Sequence, residues 1–224
     1  MNDQSKVSAI IVAAGESKRM NGVDKVLAPL AGKPVIAHVL NTFDSCKSID
    51  NIVLVVNRKS LDACQKLVAG LATPVEVCLG GKRRQDSVAA GLKKVEGSQW
   101  VVIHDGARPL VTNELIEEGL KAAQETGAAA AAVPVTDTIK VAGDDSIVRE
   151  TPPRQNLWAV QTPQVFRYDI IAEAYKKAAE EATDDAALAE RAGYKVKLYT
   201  GSYDNIKITN SGDLLAAEAI LKHG

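Results

Sequence analysis

Short apolar runs alternate along this chain with stretches in which apolar residues recur every three or four positions. Val7–Val12, Asn51–Val56, Val75–Leu79, Trp100–Ile103 and Ala128–Val133 are runs of the first kind. Such runs suit strands buried on both faces of a parallel sheet. Behind Pro34, which fits a first helical turn, Val35, Ile36, Val39, Leu40 and Phe43 repeat at helical spacing. Helices are also predicted through Leu67 and Val68 with Ser60 as cap, and over Asp86–Val95. Another follows Thr112, where Glu114 and Glu117 sit near the positive end of the helix dipole. Helices at about Asp169–Glu181 and Asp184–Ala192, a strand at Val196–Tyr199 and a last helix over Ser211–Leu221 continue the rhythm. This alternation predicts an α/β fold with a doubly wound, mostly parallel sheet and right-handed crossovers.

Between Pro134 and Pro163 the pattern changes. Val135–Val141, a turn at Gly143-Asp144-Asp145 and Ser146–Glu150 read as a β-hairpin that interrupts the βα order. An isolated hairpin is marginal in water, so this one is expected to pack on something else, a partner subunit being a reasonable choice. With no repeat, low-complexity tract or linker, residues 1–224 are expected to form one domain carrying a β-arm at about 134–163.

Composition adds mainly exclusions. The 224 residues, 46% apolar and 25% charged, are ordinary for a soluble globular protein with a sizeable core. A formal charge of −1 gives no general affinity for nucleic acid or membrane, so any anion site must be local. The first apolar run is far too short to span a bilayer and lacks the flanks of a secretion signal, which predicts a cytoplasmic protein. Cys46, Cys64 and Cys78 are scattered, with no metal-ligand spacing, and are expected to be reduced structural thiols.

Candidate chemistry concentrates where strands end. The first strand breaks at Ala13-Ala14-Gly15 into a loop carrying Lys18, Arg19 and Lys25. Small residues let backbone N–H groups approach a ligand, and the cations make that ligand an anion, phosphate first. Gly80 to Ser87 puts two glycines and three cations before a helix start, a seat for an anion or a base edge. His104 to Arg108 and Asp204 to Lys207 complete the set, and open α/β sheets bind ligands at these carboxyl ends. Asp105 suits a sugar hydroxyl or a divalent metal equally with capping the turn before Pro109. His104 reads as a satisfied strand-end histidine. There is no G-x-x-x-x-G-K-[ST] loop, no G-x-G-x-x-G fingerprint after the first strand and no G-x-S-x-G elbow. A P-loop kinase and a standard NAD dehydrogenase are thereby disfavoured.

The ordered series AAGESKRM, DKVL, GGKRRQDSV, HDGARP, DTIK, WAVQTPQVF, TDDAAL and DNIKIT spans nearly the whole chain. It resembles the 2-C-methyl-D-erythritol 4-phosphate cytidylyltransferase family. The resemblance implies a Rossmann-like nucleotidyltransferase fold with a protruding arm, and transfer of a cytidylyl group from CTP to methylerythritol phosphate with release of pyrophosphate. It implies Mg²⁺ on the triphosphate and direct attack without a covalent intermediate. By the same resemblance Ala13, Ala14 and Gly15 wrap the nucleotide, Arg19 and Lys25 contact the triphosphate, and Gly80, Gly81 and Ser87 read cytosine and ribose. Asp105, Arg108, Thr138, Arg154, Thr162, Thr183 and Lys207 hold or orient methylerythritol phosphate, Arg154 and Lys207 with a catalytic part. The arm is exchanged across a homodimer, so Arg108 and Thr138 are expected to serve the neighbour's site.

These roles agree with the chemistry, since phosphoryl-type transfer depends on positioning and on stabilising charge. Some positions depart from the family's usual pattern. Ser17 stands where glycine is frequent, Asp24-Lys25-Val26 where Pro-Lys-Gln is frequent, and Gly106 where alanine is usual. Asp24 is expected to temper the charge of Lys25 and leaves the rigidity of its loop open. A cytidylyltransferase for ribitol 5-phosphate or another polyol phosphate would share the CTP half of the motifs. A molybdopterin-type or sugar-1-phosphate nucleotidyltransferase fits the opening motif, but the segments Trp158–Gln164 and Asp204–Lys207 argue against it. A catalytically inactive nucleotide-binding protein should have lost Arg19, Lys25 or Lys207, and all three are present.

Overall fold

The structure, a computed structural model, describes residues 6–15 and 24–223. Arg19, with Ser17 and Lys18, lies outside the described residues. In chain order the elements are β1 (Val7–Ala13), β2 (Pro29–Leu30), β3 (Lys33–Pro34), α1 (Val35–Ser45), β4 (Asn51–Val56), α2 (Leu61–Val68), β5 (Val75–Leu79), α3 (Arg84–Leu92) and β6 (Trp100–Asp105). They continue as α4 (Asn113–Thr126), β7 (Ala128–Pro134), β8 (Val141–Ala142), β9 (Val148–Glu150), a 3₁₀ turn (Arg154–Asn156), β10 (Trp158–Arg167), α5 (Tyr168–Lys177), α6 (Asp185–Arg191), β11 (Lys197–Thr200) and α7 (Ser211–His223).

Seven strands form one sheet in the order β11-β7-β10-β6-β1-β4-β5. β1 pairs in parallel with β4 on one side and β6 on the other. The chain therefore winds outward to β5 and returns across β1, which opens a crevice at the carboxyl end of β1. Alternate strand residues face two apolar layers. Ile11 and Leu54 pack with Val39 and Phe43 of α1 and Ile116 of α4, whereas Ile10 and Val55 pack with Val88 and Leu92 of α3 and Ile171 of α5. A smaller apolar group joins Leu30 and Val35 to Ile208 and to Ala217 of α7.

Outside the arm the predicted strands and helices all occur, with shifted ends. α3 begins at Arg84, two residues before the predicted start. Thr112 caps α4 by accepting from the Leu115 N–H at 3.3 Å. Ser60 makes no side-chain cap bond, because its hydroxyl donates instead to the Asn57 carbonyl at 3.3 Å.

The larger difference lies in the segment 134–163. The hairpin is confined to β8 and β9, two and three residues long, and Val135–Lys140 forms no strand. Trp158–Arg167 belongs to the central sheet, antiparallel to both β6 and β7, so the sheet is mixed and the arm ends before Trp158. Its sequence hid this strand, since Gln161, Thr162, Pro163 and Gln164 break both apolar continuity and alternation. The register with β7 slips between Val160 and Gln164, and a bulge is where a sheet tolerates proline.

Candidate active site

A cleft opens at the carboxyl end of β1, lined by Ala13, Ala14 and Gly15, by Lys25, by Gly81 to Arg84 and Ser87, and by Asp105 and Lys207. Four separate stretches of sequence meet here because the loops that follow β1, β5, β6 and β11 converge at this end of the sheet.

Backbone ties hold each wall. The Lys25 loop is fastened by the Asp24 carboxylate, which accepts from Asn57 Nδ2 at 2.9 Å and from the Val26 N–H at 3.2 Å. The Ile36 N–H donates to the Val26 carbonyl at 2.9 Å, seating the loop on α1. Asp24 thus anchors this loop. In the glycine loop, the buried Ser87 hydroxyl accepts from the Gly81 N–H at 3.2 Å and donates to the Arg83 carbonyl at 3.1 Å. A Cβ on Gly80 would lie 2.5 Å from that of Ala14, and one on Gly81 2.4 Å from that of Asp86, so the loop reaches β1 only without side chains. At Gly106 a Cβ would come within 2.9 Å of Ile36 Cδ1, so glycine relieves this packing.

Asp105 is the electrostatic centre. It is buried at the end of β6, with Arg84 Nε at 3.0 Å, Lys207 Nζ at 2.8 Å and Arg108 Nε at 3.8 Å from its oxygens. Burial pushes its carboxyl pKa up, but Arg84, Lys207 and Arg108 outweigh this and hold it far below the usual carboxylate range. Lys207 reaches it because the Ile208 N–H donates to the Ala107 carbonyl at 2.8 Å, joining the two loops.

Behind Asp105 runs a buried hydrogen-bond chain. His104 Nε2 contacts the Arg108 carbonyl at 3.1 Å, so it carries the proton and leaves Nδ1 to accept from Thr162 Oγ1 at 3.1 Å. The Thr162 oxygen in turn accepts the Asp105 N–H at 3.0 Å. Burial, partly offset by the Arg108 carbonyl and Asp105, lowers the His104 pKa from 6.5 to about 4. The unfolded chain therefore takes up a proton that the fold refuses between those values. Stability is full above pH 6.5 and falls by about 1.4 kcal/mol per unit as the pH drops toward 4. Urea unfolding at pH 7, 6 and 5 should show a shallower decline in His104→Gln than in the wild type, and equal slopes would contradict this.

All three cysteines are free thiols. Burial raises the pKa of each, that of Cys64 to about 11, so none is poised as a thiolate nucleophile. Among the described residues no three His, Cys, Asp or Glu side chains converge into a metal cage. Among the described residues the site offers backbone N–H groups, cations and one well-held carboxylate, equipment suited to an anionic ligand.

A family model for 2-C-methyl-D-erythritol 4-phosphate cytidylyltransferase matches residues 7–223. The chain belongs to that family. A cytidylyltransferase of this name from Dehalococcoides mccartyi is 50% identical over 221 residues, covering 98% of this chain and 97% of that protein. One from Caldanaerobacter subterraneus is 48% identical over 224 residues, covering 96% and 99%. The crystal structure of 4-diphosphocytidyl-2C-methyl-D-erythritol synthase from Anaerococcus prevotii superposes with a TM-score of 0.90 at 33% identity, over 98% of this chain and 97% of that one. The Thermus thermophilus cytidylyltransferase structure superposes at 0.78 with 31% identity, over 97% and 99%.

The described residues among those that family resemblance singles out fall into four groups. Ala13, Ala14, Gly15, Lys25, Gly81, Ser87, Asp105 and Lys207 line one cleft, and Gly80 supports its wall. Thr162 and Arg108 lie beneath it. Thr162 is engaged with His104 and Asp105, and the Arg108 guanidinium donates to the Asn205 carbonyl at 2.7 Å, facing its own chain's cluster rather than outward. Thr138 and Arg154 lie apart on the arm, where Arg154 Nη1 donates to the Thr136 carbonyl at 2.6 Å. Thr183 lines a second cleft, shared with Tyr175, Asp184 and Asp185 and walled off by Arg84. Sequence reasoning missed Arg84, Asp185 and Asn205. Arg84 was one of three consecutive cations, and nothing in the run ranks it above its neighbours.

Proposed function

We propose that this chain transfers the cytidylyl group of CTP to 2-C-methyl-D-erythritol 4-phosphate by one direct in-line displacement. A phosphate oxygen of the polyol phosphate forms a bond to the α-phosphorus of CTP, the α–β bridging bond breaks, and pyrophosphate leaves with that electron pair. The observation that carries this reading is the single cleft in which Lys25 stands on one wall and the Lys207–Asp105 pair on another.

The parts fit the chemistry. Ala13 to Gly15 and the Gly80–Gly81 loop suit the nucleotide, since neither puts bulky side chains in its way. Lys25, with Arg19 from its loop, neutralises charge gathering on the α- and β-phosphate oxygens. Lys207 is drawn from Asp105 to the incoming phosphate and relieves repulsion between two anionic reactants. No general base is needed, because a phosphate monoester is largely dianionic above about pH 6 and already nucleophilic. Mg²⁺ enters with CTP. Among the described residues the carboxylate lining the cleft is Asp105, held by three cations, which suits an ion carried on phosphate oxygens rather than caged by protein. There the ion neutralises triphosphate charge.

The arm completes the site in a homodimer. Ile139, Val141, Ile147, Val148 and Trp158 are large apolar groups left exposed on or beside it, and a second copy covers them. Thr138 and Arg154 then face the neighbour's cleft. Light scattering should give a dimer, and Ile147→Asp with Val148→Asp should give a monomer with at least tenfold lower activity; a fully active monomer would contradict this. The reaction places the enzyme in the cytoplasm with its nucleotide. Among the described residues no helix is long and apolar enough to cross a membrane.

Substrate choice is tested by offering CTP and Mg²⁺ with methylerythritol phosphate or ribitol 5-phosphate separately. Pyrophosphate should be released rapidly only with the first, and release only with ribitol 5-phosphate would overturn the assignment.

A further inference from the structure

We infer that Arg84 is a positioning residue for the polyol-phosphate half of the site, fixing the Asp105 carboxylate from behind while Asp185 and Tyr175 fix Arg84. The inference rests on the reading that Asp105 serves the polyol phosphate.

Arg84 opens α3 and forms the wall between the two clefts. Its guanidinium bridges two acids on opposite sides, with Nε 3.0 Å from Asp105 Oδ1 and Nη1 2.8 Å from Asp185 Oδ2. Asp185 is fully buried, and its other oxygen accepts the Tyr175 hydroxyl at 2.5 Å. Burial pulls the Arg84 pKa down, but Asp185 and Asp105 more than reverse this, so the guanidinium stays charged. A cation already matched by two carboxylates has little net charge to offer a triphosphate, which separates its task from that of Lys25.

Geometry assigns the task that remains. Asp105 Oδ1 is set by Arg84 and Oδ2 by Lys207. When a substrate phosphate draws Lys207 away, Arg84 is the hydrogen-bonded cation that keeps the carboxylate plane where a sugar hydroxyl can meet it, with Arg108 Nε farther off at 3.8 Å. A planar fork reaches two acids along two edges, and a lysine ammonium cannot. The next residue of the same turn supports the second cleft, where Gln85 Oε1 accepts the Ala182 N–H at 3.3 Å, one residue before Thr183. One helical turn thus touches the walls of both clefts.

The test is steady-state kinetics on the intact enzyme for Arg84→Lys, Tyr175→Phe, Asp105→Asn and the double variant Arg84→Lys/Asp105→Asn, with KM determined for each substrate. Arg84→Lys should raise KM for methylerythritol phosphate about tenfold while KM for CTP stays within about twofold. Tyr175→Phe, which removes one hydroxyl and keeps the ring, should raise the same KM about threefold even if Arg84→Lys proves too unstable to assay. On the Asp105→Asn background, Arg84→Lys should add almost nothing, because the group it orients is gone. A rise in the CTP KM instead, independent effects that multiply in the double variant, or an unchanged polyol-phosphate KM in Tyr175→Phe would each overturn the inference. If Asp105→Asn alone leaves the polyol-phosphate KM unchanged, the assignment of Asp105 itself fails, a distinct result.

Discussion

Replacing Lys25 with alanine is expected to lower maximal turnover about a hundredfold or more, the loss seen when a single preorganised electrostatic group is removed. The residue stands on the wall of the cleft beside Ala13 to Gly15. Its loop is pinned by Asp24 to Asn57 and to the Val26 N–H, so the backbone that carries Lys25 is set before the substrate arrives. Charge moves from the attacking phosphate to the departing pyrophosphate during the displacement, and a compact cation there stabilises the transition state more than the bound reactants. The effect should therefore fall on kcat, measured at saturating CTP and polyol phosphate, with a smaller change in KM for CTP. Near-wild-type turnover would remove Lys25 from the chemistry.

The second large effect is expected at Asp105, where alanine should cost both stability and substrate affinity. The carboxylate balances Arg84, Lys207 and Arg108, and its loss leaves like charges crowded in a largely buried space. Removing one partner of a buried ion pair costs about 3–5 kcal/mol, which in a chain of this size lowers the melting temperature by roughly 10 °C. Acid acts in the same direction. The folded pKa of Asp105 is depressed, so its contribution is present above the ordinary carboxylate range and is lost as the pH falls through it. Calorimetry at pH 7 on Asp105→Ala checks the stability, and an unchanged melting temperature would show that the three cations do not depend on this acid.

How much of this was legible in the sequence depended on whether a residue's role is local. Short apolar runs between turn signals announce strands, so β1, β4, β5, β6 and β7 were readable, as was the position of Lys25 and the glycine loop at the ends of two of them. β10 was not, because Thr162 and Gln164 are buried polar residues whose partners lie far off in sequence: Thr162 answers to His104 and Asp105, and Gln164 to Asp184. Arg84 was hidden for the same reason. Its two acids stand 21 and 101 positions away, and no local pattern connects them. Ser60 was misread in the opposite sense, since a helix-capping residue type found a nearer carbonyl at Asn57.

The central claim is that both anions meet in one cleft and react in one step, with no bond to the protein. The direct measurement is the stereochemical course of transfer from a single diastereomer of cytidine 5′-O-(1-thiotriphosphate), read at the α-phosphorus of the product by ³¹P NMR. One in-line displacement gives inversion, the expected result. Retention would mean two displacements and a covalent cytidylyl-enzyme, and would contradict the account.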